Sequence, residues 1–164
     1  LIKRRWLDGE FLAMHLNEAF RLDMSEMKWG DAEMTQLAAA LEYCHARGAL
    51  SRLETLSLEH NQISDAGCTA LAEACGSGAL ASLEKLDLRY NQIGDAGLTA
   101  FADACASGAL ANLKELHLYG NQISDAGVSA LAGACASVSR SSLRSGLIPG
   151  LINSILPALR SKAA

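Results

Sequence analysis

Three aspartates, Asp65, Asp95 and Asp125, recur at an interval of 30 residues. Carboxylates stacked in register could hold a hard cation through oxygen ligands. The same residues stand just before a helical pattern, where a carboxylate accepts from free backbone N–H groups and favours the positive helix end. Helix capping therefore accounts for them without a metal. His60 and His117 fall in different columns of the recurring pattern, and no Cys or carboxylate completes a ligand set at metal spacing. Cys75, Cys105 and Cys135 share a helical face with Ala and Leu, so they read as small buried hydrophobes; no histidine can be assigned to activate them as nucleophiles. The sequence has no phosphate-binding G-x-x-x-x-G-K-[ST] loop and no G-x-S-x-G elbow. The expectation is a protein with no catalytic residue, no metal and no cofactor.

The elements that would position these side chains are set by an internal repeat. Residues 48–77, 78–107 and 108–137 are three near-copies, GALSRLETLSLEHNQISDAGCTALAEACGS, GALASLEKLDLRYNQIGDAGLTAFADACAS and GALANLKELHLYGNQISDAGVSALAGACAS. Such a period outranks any local assignment of structure. In the first half of each copy Leu56 and Leu58, Leu86 and Leu88, and Leu116 and Leu118 alternate with polar residues, as in a strand with one buried face. In the second half Cys68, Leu71, Ala74 and Cys75 are spaced for one helix face, as are Leu98, Phe101, Ala104 and Cys105. Each copy is a strand followed by a helix. Identical right-handed crossovers make the strands parallel and the sheet continuous, with helices as an outer wall. At the turns, Asn61, Asn91 and Asn121 can hydrogen-bond backbone groups. Ile63, Ile93 and Ile123 enter the core, and Gly67, Gly97 and Gly127 leave room for close backbone approach.

The pattern L-x-x-L-x-L-x-x-N-x-I-x-D-x-G, filled first by Leu53, Leu56, Leu58, Asn61, Ile63, Asp65 and Gly67, resembles the leucine-rich repeats of the ribonuclease-inhibitor-like class, as found in NOD-like receptors and the Ran GTPase-activating protein. The resemblance implies an α/β solenoid: a right-handed βα superhelix with parallel strands on the concave face and helices on the convex face, of a kind that binds proteins. A degenerate first unit, 17–47, keeps Leu22 and Met24 at strand positions and places Trp29 and Asp31 where later units have Ile and Asp. Its helix would bury Met34, Leu37 and Leu41, while Met27 and Glu33 replace the Asn and Gly. The organisation expected is a leader over 1–16, repeats over 17–137, and a non-repeat tail over 138–164. Leu147, Leu151, Ile155 and Leu159 of that tail could cap the last repeat.

Composition narrows the partners. The chain has 164 residues, half of them apolar, and can bury one core without a metal. A net charge of −4 gives no footprint for a nucleic acid backbone. The basic cluster Lys3, Arg4 and Arg5 beside Trp6 reads as a solvated end. The uncharged run from Gly146 to Leu159 is interrupted by Pro149 and Pro157 and falls short of the roughly 18 apolar residues a membrane span needs. Five cysteines, without a disulfide framework or a CxxC site, fit a reducing compartment and a cytoplasmic location. Leu1 in place of Met, with no secretory signal, fits a fragment or processed form.

If the leucines face inward, their neighbours face out. Thr55, Lys85 and Glu115 form one concave column, Ser57, Asp87 and His117 a second, and Glu59, Arg89 and Tyr119 a third, with His60 and Tyr90 just beyond the strand ends. The second and third copies agree at 19 of 30 positions, yet differ at every exposed strand position of these columns. A constant scaffold under a varied display points to a monomeric protein-binding module, with Arg89, Tyr90 and Tyr119 as anchors. Two alternatives follow from the resemblance: a GTPase-activating or regulatory fragment, or the ligand-sensing arm of a larger NOD-like receptor.

Overall fold

A computed structural model describes residues 20–48 and 51–141, with side chains through residue 134. The leader, the basic cluster and the tail beyond 141, with its expected cap, lie outside the described residues. Four strand–helix units follow one another: β1 (Arg21–Asp23), α1 (Asp31–Ala46), β2 (Thr55–Ser57), α2 (Asp65–Gly76), β3 (Lys85–Asp87), α3 (Asp95–Ala106), β4 (Glu115–His117) and α4 (Asp125–Ser141). Helix α4 continues past the expected repeat boundary at 137. The strands form one parallel sheet in the order β1-β2-β3-β4, with Leu22, Leu56, Leu86 and Leu116 side by side. Each helix packs on the next.

The core lies between sheet and helices. Leu56, Leu58, Leu86, Leu88, Leu116 and Leu118 enter it from the strands, with Ile63 and Ile93 from the turns. From the helices come Leu71, Cys75, Leu98 and Phe101. In the first unit Met34, Leu37 and Leu41 are fully buried, and Trp29 fills the place later taken by isoleucine.

The asparagines do more than close their own turns. Asn91 Nδ2 donates to the carbonyls of Leu88 in its own unit and Leu58 in the preceding one, while its Oδ1 accepts from Ile63 N–H. Asn61 and Asn121 repeat this pattern, so an amide, buried at Asn61 and Asn91 and partly buried at Asn121, joins each unit to its predecessor. Each such bond satisfies backbone groups that would otherwise be orphaned in the core.

The aspartates correct the expectation that each caps its own helix. Asp65 is the first residue of α2, and the residue before it, Ser64, is the N-cap, its Oγ accepting from Ala66 N–H. The Asp65 carboxylate reaches into the next unit, where Oδ1 accepts from Gly94 N–H at 2.6 Å and Gly97 N–H at 2.9 Å. Asp31 likewise accepts from the N–H groups of Ser64 and Gly67, and Asp95 from that of Ser124. Each carboxylate thus caps the following helix and ties two repeats together. Burial alone would raise the pKa of Asp31, but the hydrogen bonds from Ser64 and Gly67 outweigh it and hold it below the ordinary value.

This geometry explains the glycines. A Cβ built on Gly97 would lie 2.8 Å from Asp65 Oδ1, and one on Gly127 2.5 Å from Asp95 Oδ1. In the first unit the equivalent residue is Glu33, whose carboxylate accepts from Gly30 N–H. There the helix start is capped from within its own unit.

Candidate functional site

The face of the sheet turned away from the helices carries the residues expected to meet a partner. Thr55, Lys85, Glu59 and Arg89 are partly exposed, as is His117; Glu115, His60, Tyr90 and Tyr119 are exposed. Ser57 and Asp87 differ from the expectation, each being 5% exposed. The Ser57 hydroxyl is hydrogen-bonded to that of Ser25, and Asp87 is wrapped by Arg89. Side-chain alternation does send both to this face, but Ser25 and Arg89 cover them.

Arg89 is the electrostatic centre. It donates through Nε and Nη2 to Asp87, at 2.9 and 2.6 Å, and through Nη2 to Glu59 Oε2 at 2.8 Å. Burial pushes the Asp87 carboxyl up, but hydrogen bonds from the Arg89 side chain and N–H, together with its charge, more than offset this, so the pKa is lowered. The Arg89 guanidinium is held more firmly charged by the Asp87 hydrogen bond. Below it, Lys85 pairs with Glu115 at 2.8 Å, and Glu115 also faces His117 at 3.1 Å. Hydrogen bonds from Lys85 and His117 lower the Glu115 pKa. An anchor role for Arg89 at a partner would therefore compete with two internal carboxylates.

The rings are differently placed. His60 and Tyr90 occupy equivalent turn positions and both have left-handed backbones, with φ of 55° and 54°. They stack with centroids 4.3 Å apart and planes 10° apart, close to the strand spacing of a sheet. Tyr90 also meets Tyr119 edge-on at 5.4 Å. At the next equivalent position, Gly120 has no side chain; a Cβ there would come within 2.6 Å of the Tyr90 ring. Tyr90 and Tyr119 remain 41% and 44% exposed. The sequence placed both tyrosines on this face. Missing from that reading was the contribution of Gly120, whose lack of a Cβ lets Tyr90 lie across the last unit; the break from His and Tyr to Gly at one repeat position was the available signal.

Of the three cysteines expected to be buried, Cys75 is buried, Cys105 is partly exposed, and the side chain of Cys135 lies outside the described residues. Cys44, Cys68 and Cys75 are buried and in no disulfide. Burial pushes the thiols of Cys68 and Cys75 up to about 12, far from a nucleophile's range. Among the described residues no group of His, Cys, Asp and Glu is arranged to hold a metal, and no helix is long and apolar enough to cross a membrane.

Comparison with known proteins agrees with this architecture. Residues 81–133 match the family described as Leucine Rich repeats (2 copies), and residues 51–72 match Leucine Rich repeat. No curated protein matches the chain. Among solved structures, leiomodin-1 Actin-Binding Site 2 (ABS2) superposes with a TM-score of 0.64 over 94% of this chain and 91% of that one, at 14% sequence identity. At that identity the likeness is one of fold. Repeats of this type serve in general as protein-interaction modules. The chain carries leucine-rich repeats, and its four strand–helix units form a leucine-rich-repeat α/β solenoid.

Proposed function

We propose that the open face of the sheet, the concave face of a ribonuclease-inhibitor-like solenoid, binds another protein without catalysing a reaction. The observation that carries this reading is the adjacent pair Tyr90 and Tyr119, large side chains left exposed where the surrounding charged groups are already paired with one another. Amphipathic rings on a rigid support are the residue type that most often anchors an interface, because they bury much area at little entropic cost. The period of 30 residues and the strand–turn–helix pattern support the class. A cytoplasmic setting belongs to this proposal because the sequence has neither a disulfide framework nor a CxxC site.

Actin is the first partner to test, because the solved neighbour is an actin-binding site. Co-sedimentation with actin filaments should retain the native chain and lose the double variant Tyr90→Asn, Tyr119→Ala. Asparagine tolerates the left-handed backbone at 90, so the variant preserves the turn. Equal sedimentation of both proteins refutes the tyrosine site for actin. Failure of the native chain to sediment removes actin as its partner.

A further inference from the structure

We propose that the segment 142–164 folds back along β4 and closes the open flank of the last unit, where its backbone meets the edge of β4 and the Asp125 carboxylate. The first observation is a pair of ladders that stop together. In the second and third units the N–H groups just beyond the strand donate to the next strand, Leu58 to the Asp87 carbonyl and His60 to that of Arg89, then Leu88 to His117 and Tyr90 to Tyr119, at 2.8–3.0 Å. Among the described residues no strand follows β4 to accept from the equivalent N–H groups of Leu118 and Gly120. The aspartates behave alike. Asp31, Asp65 and Asp95 each accept from backbone N–H groups of the following unit, whereas Asp125, the fourth copy, is exposed.

The second observation is the flank beside these groups. Leu98 and Ala102 of α3, which α4 covers, are buried, but the equivalent Val128 of α4 is partly exposed and Ala132 is exposed. An unpaired strand edge next to apolar surface is a template for another segment of chain. Reach and composition select the segment that leaves α4. The 17 residues of α4 carry the chain about 25 Å away from Asp125, and the seven residues 142–148, extended, return about 23 Å. They pass β4 on the way, with carbonyls to offer Leu118 and Gly120. Pro149 then suits the first turn of a helix, which would present N–H groups to Asp125 as the earlier helices do to the earlier aspartates. Beyond it Leu151 and Ile155, one helical turn apart in a run without charge, supply the apolar cover for Val128 and Ala132. A tethered segment acts at an effective concentration of about millimolar, which a second copy of the chain at micromolar concentration does not match.

The test is amide hydrogen exchange of the full chain followed by NMR. The N–H groups of Leu118 and Gly120 should exchange slowly in the native protein, as those of Leu88 and Tyr90 do. The double variant Leu151→Asp, Ile155→Asp should speed exchange at Leu118 and Gly120 at least about tenfold and leave Leu88 and Tyr90 within about threefold. Asp125→Ala should act in the same direction. Fast exchange at Leu118 and Gly120 in the native chain, or protection that neither variant changes, overturns the inference; protection that is lost on dilution assigns the flank to a second copy and overturns it as well. A photo-cross-linking amino acid at position 151 of the otherwise native chain gives an answer even if the aspartate variant fails to fold. Peptide mapping should find an adduct within one chain to residues 118–132, and adducts only elsewhere or only between chains overturn the inference.

Discussion

Replacing Asp65 by alanine should destabilise the protein far more than an ordinary surface substitution, because it unties two repeats. The carboxylate accepts from Gly94 and Gly97 N–H, and Gly94 is a helix N-cap with no side chain to replace it. Hydrogen bonds to charged groups contribute about 1.5–3 kcal/mol each where water is excluded, and loss of a helix cap costs about 1 kcal/mol. With the site half covered, the expected loss is about 2–3 kcal/mol. Gly97→Ala provides the complementary perturbation. Alanine is the better helix former by up to about 1 kcal/mol, so without a steric conflict the change would stabilise α3. A Cβ there would instead lie 2.8 Å from Asp65 Oδ1, 3.0 Å from Asp65 Cα and 3.0 Å from Cys68 Cβ. Such overpacking costs about 1–3 kcal/mol, so the sign of the net effect decides. Urea denaturation of both variants and the double variant should give two destabilising singles coupled by more than about 0.5 kcal/mol. An Asp65→Ala variant within about 0.5 kcal/mol of native, or a stabilising Gly97→Ala, refutes the inter-repeat cap.

Acid should act through one such tie, Asp31, and through the Asp87–Arg89 pair. The pKa values of Asp31 and Asp87 are lowered on folding, so the stability they contribute is fully present above their ordinary value of 3.8 and is lost as pH falls through the lower folded values. Urea midpoints should therefore drop below about pH 4, and Asp31→Asn should flatten that drop; a midpoint that rises on acidification contradicts it. The thiols of Cys68 and Cys75, raised to about 12 by burial, should resist iodoacetamide near neutral pH until denaturant is added. Peptide mapping that finds either one alkylated in the native protein counts against their burial.

Much of the architecture was legible because the same pattern is written three times. The LxL alternation fixed which strand side chains enter the core, and Trp29 and Asp31 were sufficient to align the divergent first unit. What stayed hidden is a consequence of the repetition itself. Asp65 and Asp95 have nearly the same surroundings in sequence, differing at Ser64 and Gly94, so a contact within one unit cannot be told from a contact to the next. The glycine at the third helical residue of later units was the clue, since it weakens a helix unless something must pass close by. The display columns were legible as positions but not as exposures. Asp87 lies under Arg89 through a contact two residues away, and Arg89 is turned by Glu59 of the neighbouring unit. The stack of His60 on Tyr90 also depends on a left-handed turn, an uncommon backbone for either residue.

The most direct test of the binding face is a photo-cross-linking amino acid placed at position 119 in one chain and at position 103 on the helix side in another, each exposed to partner proteins in the cell. The account predicts a discrete cross-linked protein from position 119 and none from position 103. A partner captured from position 103 and not from 119 would contradict it.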